Sequence, residues 1–397
     1  MTRPNVAVDT RRWRIWVLVL PAAIAVGMAM AVGTPMSDWG AAVTGARYLL
    51  SGHLSVYADM PKVQMGPLAL LLAGALPGPI YLAAVCSLLS LMLWMVTLAH
   101  PRTRSTYVST LSGGVLLAWP WAAFAVQGHG DDALVLIGVV AMVLGYKSNR
   151  EAWVIAGFLV AITAKPTAVL FLPLVFLASR RAGIVAVFGA GLLWAPFILA
   201  DVPGFIAAGR GQGDLWPYSL PELLGGEPHS GFPAWVRPVQ LVGGAAVCFL
   251  LARRKGVAAA VAGVFAFRVL LEPATWNYYS ASVIAAAILL DLDCRRRIPW
   301  GALLGFVSFV AAFGMSLNMA QGAVRILALT GVLVLAFIGG TAQKDRHHGL
   351  SDEPAHLSRR VVVQPPAPTQ RRERLRGDSS RSEPGSGMPR RSPGSSY

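Results

Sequence analysis

Asp38 is the first residue whose type and position could do chemistry. It follows the first apolar run of the chain, and the segment after it carries apolar residues at helical spacing. That spacing predicts a helix lying on a membrane surface. A carboxylate at the start of such a helix could take a proton from a hydroxyl group as a general base. Because Ser37 and Asp38 are both favoured N-cap residues, a helix cap is the structural alternative.

The sequence QGHGDD holds a second group of polar side chains between two apolar runs. Its candidate substrate-binding residues are Gln127, His129, Asp131 and Asp132. Their donors and acceptors could hold a sugar or a metal ion, and we predict the sugar and no metal. The structural alternative is a helix start that is capped by Asp131 or Asp132.

Lys165 lies inside the apolar stretch LVAITAKPTAVLFLPLVFL, where a cation needs water or a partner. A phosphate is one natural partner for such a cation. Arg268 and Glu272 are spaced i, i+4 near a helix end, so they could pair with each other or line a polar cavity. We predict Lys165 and Arg268 as phosphate-binding residues and Glu272 as a substrate-binding residue.

The late motif PATWNYY brings aromatic rings and an amide together. Trp276, Asn277 and Tyr278 could form an aromatic belt at a membrane interface, or they could bind a sugar through ring faces and amide hydrogen bonds. The nearby Asp291-Leu292-Asp293 precedes three arginines, and we interpret it as a solvated helix end.

The composition requires that these residues be positioned by membrane helices. Hydrophobic residues make up 55% of the chain and charged residues only 13%, unlike a soluble domain of this size. The net charge of +15 comes from short loops and the C-terminal region, where membrane orientation and anionic lipid explain it. We therefore expect membrane lipid as a partner and no nucleic acid.

Apolar runs and basic loops predict an all-α, polytopic protein with about 12 transmembrane helices and both termini in the cytoplasm. We expect a cytoplasmic N-terminus at 1–14, a transmembrane domain at 15–343 and a disordered basic tail at 344–397. The outer loops are 33–79 and 201–238, and the apolar stretch 66–76 is too short to span a bilayer. The predicted spans lie near 15–32, 80–98, 106–126, 133–146, 184–199, 239–251, 257–271, 279–290, 300–315 and 323–340. Residues 152–178 are predicted to form a short hairpin.

Several of these features occur in one order: Asp38 after the first span, Gly52 and Tyr57 in the first loop, Gln127, the lysine-proline hairpin and PATWNYY. Together they resemble the GT-C membrane glycosyltransferases. The closest resemblance is to glycosyltransferase family 87, the actinobacterial polyprenyl-phosphate-mannose-dependent α-mannosyltransferases, over roughly residues 10 to 340.

The resemblance implies a GT-C-like fold, a catalytic base at Asp38 and a donor phosphate near Lys165, with Tyr57 in the substrate-binding first loop. It also implies no cofactor, a sugar on polyprenyl phosphate as donor, a glycolipid or glycan acceptor, and an active face outside the cytoplasm at the plasma membrane. Two departures stand out. The family's tyrosine-proline-proline stretch reads VQMGPLALL here, and Asn277, Tyr278 and Tyr279 stand where a histidine often follows the tryptophan.

Two other function classes fit the sequence. A lipid or sugar transporter would carry ionisable residues at mid-span and breaks in matched halves, whereas most charges here lie at span ends. A non-catalytic subunit of a cell-envelope synthase is compatible with the absent histidine. The sugar, acceptor, linkage and oligomeric state do not follow from the sequence.

Overall fold

The computed structural model describes residues 10–32, 37–61, 63, 65–75, 104–209, 215–227, 232–312 and 318–339. Every regular element in these ranges is helical, as predicted. Two 3₁₀ segments, Pro166–Phe171 and Asn277–Tyr279, stand between α-helices. The α-helices are α1 (Thr10–Val32), α2 (Ser37–Leu50), α3 (Val56–Asp59), α4 (Pro67–Ala75), α5 (Arg104–Gln127), α6 (Gly130–Lys147), α7 (Glu151–Ala164), α8 (Leu172–Ala178), α9 (Arg180–Ala200), α10 (Val202–Gly209), α11 (Leu220–Leu223), α12 (Val236–Lys255), α13 (Val257–Leu270), α14 (Ser280–Asp293), α15 (Trp300–Ala311) and α16 (Met319–Gly339).

The described parts of the predicted spans overlap α-helices, with 152–178 divided among α7, a 3₁₀ segment and α8, and the number of spans stays a prediction. The predicted span at 80–98 and the predicted tail at 344–397 lie outside the described residues, as does most of the predicted N-terminal segment 1–14.

The interior consists of α6, α13 and α14, whose residues are almost all buried. Small residues allow these helices to pack closely. A Cβ atom on Gly138 of α6 would lie 2.4 Å from the carbonyl oxygen of Gly157 on α7, so these two helices pack in backbone contact. α13 is rich in alanine and lies against α12, α14 and α16. The close packing fixes the relative positions of the helix ends.

Within the described residues, three helices, α9, α12 and α16, are long and apolar enough to cross a membrane. They also leave large apolar side chains facing outward. Phe188 and Leu192 of α9 are each 76% exposed, and Val242 of α12 and Leu327 of α16 are 73% and 71% exposed. Apolar surfaces of this kind suit contact with lipid chains, so the composition and the surface both support membrane association.

The described part of the apolar stretch 66–76 contains the short helix α4, which docks on the end of α7. The backbone N–H of Gly66 donates to the carbonyl of Ala164 at 2.6 Å. A Cβ atom at Gly66 would lie 2.1 Å from the carbonyl oxygen of Thr163, so only glycine permits this approach. The start of α4 is thereby held beside Lys165.

The interpretation of Asp291 as a solvated residue is wrong. Its side chain is 1% exposed and accepts hydrogen bonds from the backbone N–H groups of Gly301 and Ala302 at 3.2 and 3.1 Å. Arg296 pairs with it at 3.1 Å. The physical reason is that the first turn of α15 has free N–H donors, which a carboxylate from α14 satisfies.

Candidate functional site

Lys165 owes its position to the proline that follows it. Pro166 disfavours helical geometry at the preceding residue, and Lys165 is extended with φ −154° and ψ 126°. α7 therefore ends at Ala164, and Lys165 lies beside the carbonyl end of that helix, where a cation is favoured. The break predicted at the lysine-proline pair is present.

Two carboxylates of α6 hold the Lys165 ammonium group. Its Nζ lies 2.8 Å from Asp131 Oδ2 and 2.7 Å from Asp132 Oδ2, and both aspartates are almost fully buried. The helix begins at Gly130, so both aspartates lie in its first turn and neither is the N-cap that the structural alternative required. Because α6 and α7 are antiparallel neighbours, the negative residues at one helix start face the positive residue at the other helix end.

Arg268, in the last turn of α13, extends this network. Its Nη1 lies 3.7 Å from Asp132 Oδ1, and its Nη2 lies 4.0 Å from Glu272 Oε2. The predicted i, i+4 contact with Glu272 thus exists only at the limit of an ion pair. Arg268 also lies over the ring of Tyr279, with 5.6 Å from Cζ to the ring centroid.

Glu272 binds a residue that the sequence reasoning missed, Arg237 at the start of α12. The guanidinium Nη2 lies 3.3 Å from Glu272 Oε1, and Nη1 donates to Glu272 Oε2 at 3.4 Å and to Gln240 Oε1 at 2.7 Å. Burial raises the pKa of Glu272, but the Arg237 and Arg268 cations more than offset it and hold the pKa below its ordinary value. Glu272 is therefore an ionised, strongly held carboxylate.

Aromatic rings pack next to the two aspartates. The rings of His129 and Tyr278 are stacked with centroids 4.0 Å apart, and Trp276 contacts both Tyr278 and Trp216. His129 Nδ1 lies 3.7 Å from Asp131 Oδ1. The buried side-chain oxygen of Asn277 has no hydrogen-bond partner among the residues that the structure describes. The predicted substrate-binding residues of QGHGDD and PATWNYY thus lie next to each other.

A cavity of about 580 Å³ lies beside Lys165, which is one of its lining residues. Of the predicted site residues, Tyr57, Lys165, Arg268 and Glu272 line it. Its apolar wall includes side chains from two of the long apolar helices, α9 and α12. The Tyr57 hydroxyl donates to the carbonyl of Met65 at 3.0 Å, so the ring presents an apolar face rather than a free hydroxyl. The cavity has one charged end and a long apolar surface.

Asp38 is the second residue of α2 and Gln127 the last residue of α5, and their side chains lie outside the described part of the chain. The backbones around them do meet. A Cβ atom on Gly128 would lie 2.5 Å from the backbone nitrogen of Trp39, and Gly128 has φ +82°. The start of α2 is therefore packed against the loop that leads to Asp131.

His129, Asp131 and Asp132 have ligand atoms within 4.8 Å of one another, a spacing that a metal ion could use. The Lys165 ammonium group, however, already bridges the two carboxylates and would repel a second cation. The donor set therefore fits a lysine better than a metal, and the predicted absence of a metal stays a prediction.

Arg237, Gln240 and Arg325 are site residues that the sequence reasoning missed. One signal for Arg237 was present, because the predicted topology puts this arginine on the outer side, where basic residues are less common. Arg325 is 1% exposed inside α16, and its Nη2 donates to the carbonyl of Val269 at 2.9 Å. An arginine inside an apolar helix was a second available signal.

Comparison with known proteins adds no assignment: no protein-family model, no curated protein and no solved structure matches this chain.

Proposed function

We propose that this protein is a membrane hexosyltransferase that moves a sugar, in the first instance mannose, from a polyprenyl phosphate to a hydroxyl group of a glycolipid or glycan. The supporting observation is the cavity, which joins an apolar wall between α9 and α12 to a charged end with Lys165 and Arg268. A lipid-linked sugar phosphate has the same division between an apolar chain and an anionic head.

The size and charge of the cavity agree with such a donor. Its volume of about 580 Å³ falls within the usual range for small-molecule sites. The ion network at its charged end, which extends beyond the residues that line the cavity, has three negative charges from Asp131, Asp132 and Glu272. It has four positive charges from Lys165, Arg237, Arg268 and Arg325, with His129 counted as neutral. The excess of one positive charge favours an anionic ligand.

In the proposed reaction, the acceptor oxygen attacks the anomeric carbon of the sugar while the bond from that carbon to the phosphate oxygen breaks. The phosphate leaves on its polyprenyl chain, and the acceptor proton passes to the Asp38 carboxylate, the base that the family resemblance implies. The contact of Trp39 with Gly128 supports this role, because it brings the start of α2 to the loop of the ion network. No cofactor enters the reaction.

The proposal includes a GT-C-like arrangement of about twelve spans in the plasma membrane, with both termini in the cytoplasm and the cavity's charged end on the outer side. Arg180 and Arg181 at the start of α9, and Arg253, Arg254 and Lys255 at the end of α12, support this orientation.

The test is transfer of radiolabelled mannose from polyprenyl-phosphate mannose to extracted membrane glycolipids by the purified protein. We expect product with the wild type and a loss of at least a hundredfold with Asp38→Asn. Asp59→Asn is the matched control, because Asp59 is an exposed carboxylate of the same outer segment that binds only Tyr48 and Ser55 among the contacts described.

Equal product from wild type and Asp38→Asn would remove Asp38 from catalysis. No product from the wild type with any polyprenyl-phosphate hexose would contradict the transferase and favour a transporter or a non-catalytic subunit of a synthase.

A further inference from the structure

Arg237 differs from the other cations at the charged end of the cavity in its exposure. Its side chain is 25% exposed, whereas those of Lys165 and Arg268 are 10% and 7% exposed. Lys165 is also held at short distance by two buried carboxylates, whereas Arg237 contacts the Glu272 carboxylate at 3.3 and 3.4 Å and donates to the neutral amide oxygen of Gln240 at 2.7 Å. Arg237 is therefore the cation of these three that a ligand can reach with the least rearrangement.

The position of Arg237 on α12 connects the charged end to the apolar wall. Gln240 and Leu241 follow it at i+3 and i+4, and all three residues line the cavity. The face of α9 that lines the cavity carries Val187, Gly191 and Trp194. A lipid chain lying between α9 and α12 would thus place an anionic head group at Arg237.

Glu272 does not depend on Arg237 alone for its neutralisation. Arg268 lies 4.0 Å from Glu272 Oε2, Gln240 Nε2 donates to the same oxygen at 3.3 Å, and the charge of Arg325 acts on Glu272 from α16. If Arg237 moved to another anion, the carboxylate would still have two arginines and an amide donor. Such an exchange avoids leaving a buried charge without a partner.

We propose that Arg237 binds the phosphate of the lipid-linked donor by exchanging Glu272 for a phosphate oxygen. The planar guanidinium can present two N–H donors to phosphate, as it now does to Glu272. This inference rests on the proposed function for the identity of the donor, but it makes a binding prediction that needs no sugar transfer.

The experiment measures binding of farnesyl phosphate, farnesol and inorganic phosphate to the purified full-length protein in lipid nanodiscs. Farnesyl phosphate should bind more tightly than either of the other two. Arg237→Gln should weaken farnesyl phosphate binding at least tenfold and leave farnesol binding unchanged, and Arg237→Lys should lie between. Arg253→Gln, at the exposed far end of the same helix, is the control and should bind like the wild type.

Glu272→Gln distinguishes exchange from simple structural support. Because this variant removes the competing anion, farnesyl phosphate affinity should rise. A fall equal to that of Arg237→Gln would show that the pair only maintains the cavity, and would overturn the proposal. So would unchanged binding in Arg237→Gln, or inorganic phosphate binding as tightly as farnesyl phosphate.

If farnesyl phosphate binding depends on Arg237 but no sugar transfer is observed, the result counts against the proposed function alone. Successful transfer with binding that is indifferent to Arg237 would count against this inference alone.

Discussion

At the scale of single residues, the need of Lys165 for a partner follows from the sequence, but the identity of that partner does not. A buried ammonium group must be neutralised, and the phosphate of a substrate was one possibility. The structure places Asp131 and Asp132 within 2.8 Å of it, and phosphate binding by Lys165 stays a prediction. That pairing depends on how α6 and α7 pack, which side-chain types alone do not reveal.

Replacement of Lys165 by methionine tests whether this network stabilises the fold. Lys165→Met leaves two buried carboxylates without their nearest cation, so we expect a loss of about 3–5 kcal/mol in unfolding free energy, measured by thermal unfolding. Lys147→Met is the control, because the Lys147–Asp293 pair is partly exposed at 22% and 19% and should contribute less than about 1 kcal/mol. Similar losses in the two variants would contradict a special role for the buried network.

The pKa of Glu272 leads to a prediction about acid. Its pKa is lower in the folded protein than the value of about 4.3 expected when unfolded. The resulting stabilisation is fully present above about pH 4.3 and is lost as the pH falls through the folded pKa. Glu272→Gln should therefore unfold at lower temperature than the wild type at pH 7, by the equivalent of a few kcal/mol, and this difference should shrink toward pH 3.

Thermal unfolding of both proteins from pH 7 to pH 3 checks this expectation. Glu151→Gln, at the exposed start of α7, serves as the control and should differ little from the wild type at any pH. A Glu272→Gln difference that stays constant down to pH 3 would mean that the carboxylate charge does not stabilise the fold.

At the scale of helices and turns, local sequence predicts more of the structure than it does for single side-chain contacts. Pro166 predicts the break after α7, and the apolar runs predict the longer helices in the described ranges, whereas α10 and α11 lie in the segment 201–238 that was predicted as a loop. The docking of α4 on α7 was not predictable, because it depends on contact between the distant backbones of Gly66 and Thr163. For the same reason, the contact between Trp39 and Gly128, which brings α2 to the ion network, was not predictable.

Two glycines allow a matched test of that contact. Gly128 and Gly52 have φ +82° and +90°, so alanine at either position costs about 1 kcal/mol in backbone strain. Only at Gly128 would the new Cβ atom also meet Trp39, at 2.5 Å, because Gly52 has open space around it. Gly128→Ala should reduce unfolding free energy by at least about 1 kcal/mol more than Gly52→Ala. Equal losses in chemical denaturation would mean that α2 is not tightly docked there.

At the scale of the whole molecule, composition predicts the membrane character and the helical class, since few charges and long apolar runs leave no other solution. The cavity was beyond prediction, because its walls come from α9, α12 and the residues around Lys165, which are far apart in sequence. Its charged end combines residues that the sequence singled out, Lys165 and Arg268, with Arg237 and Gln240, which it did not.

The most direct test of the account is to map where a donor binds. A polyprenyl-phosphate mannose with a photoactivatable diazirine on its chain would be cross-linked to the purified protein, and the labelled peptides identified by mass spectrometry. We predict labelling of α9 and α12 that unlabelled donor suppresses, with little on α16, whose described residues do not line the cavity. Labelling of α16 equal to that of α9 and α12, or labelling that unlabelled donor does not reduce, would contradict it.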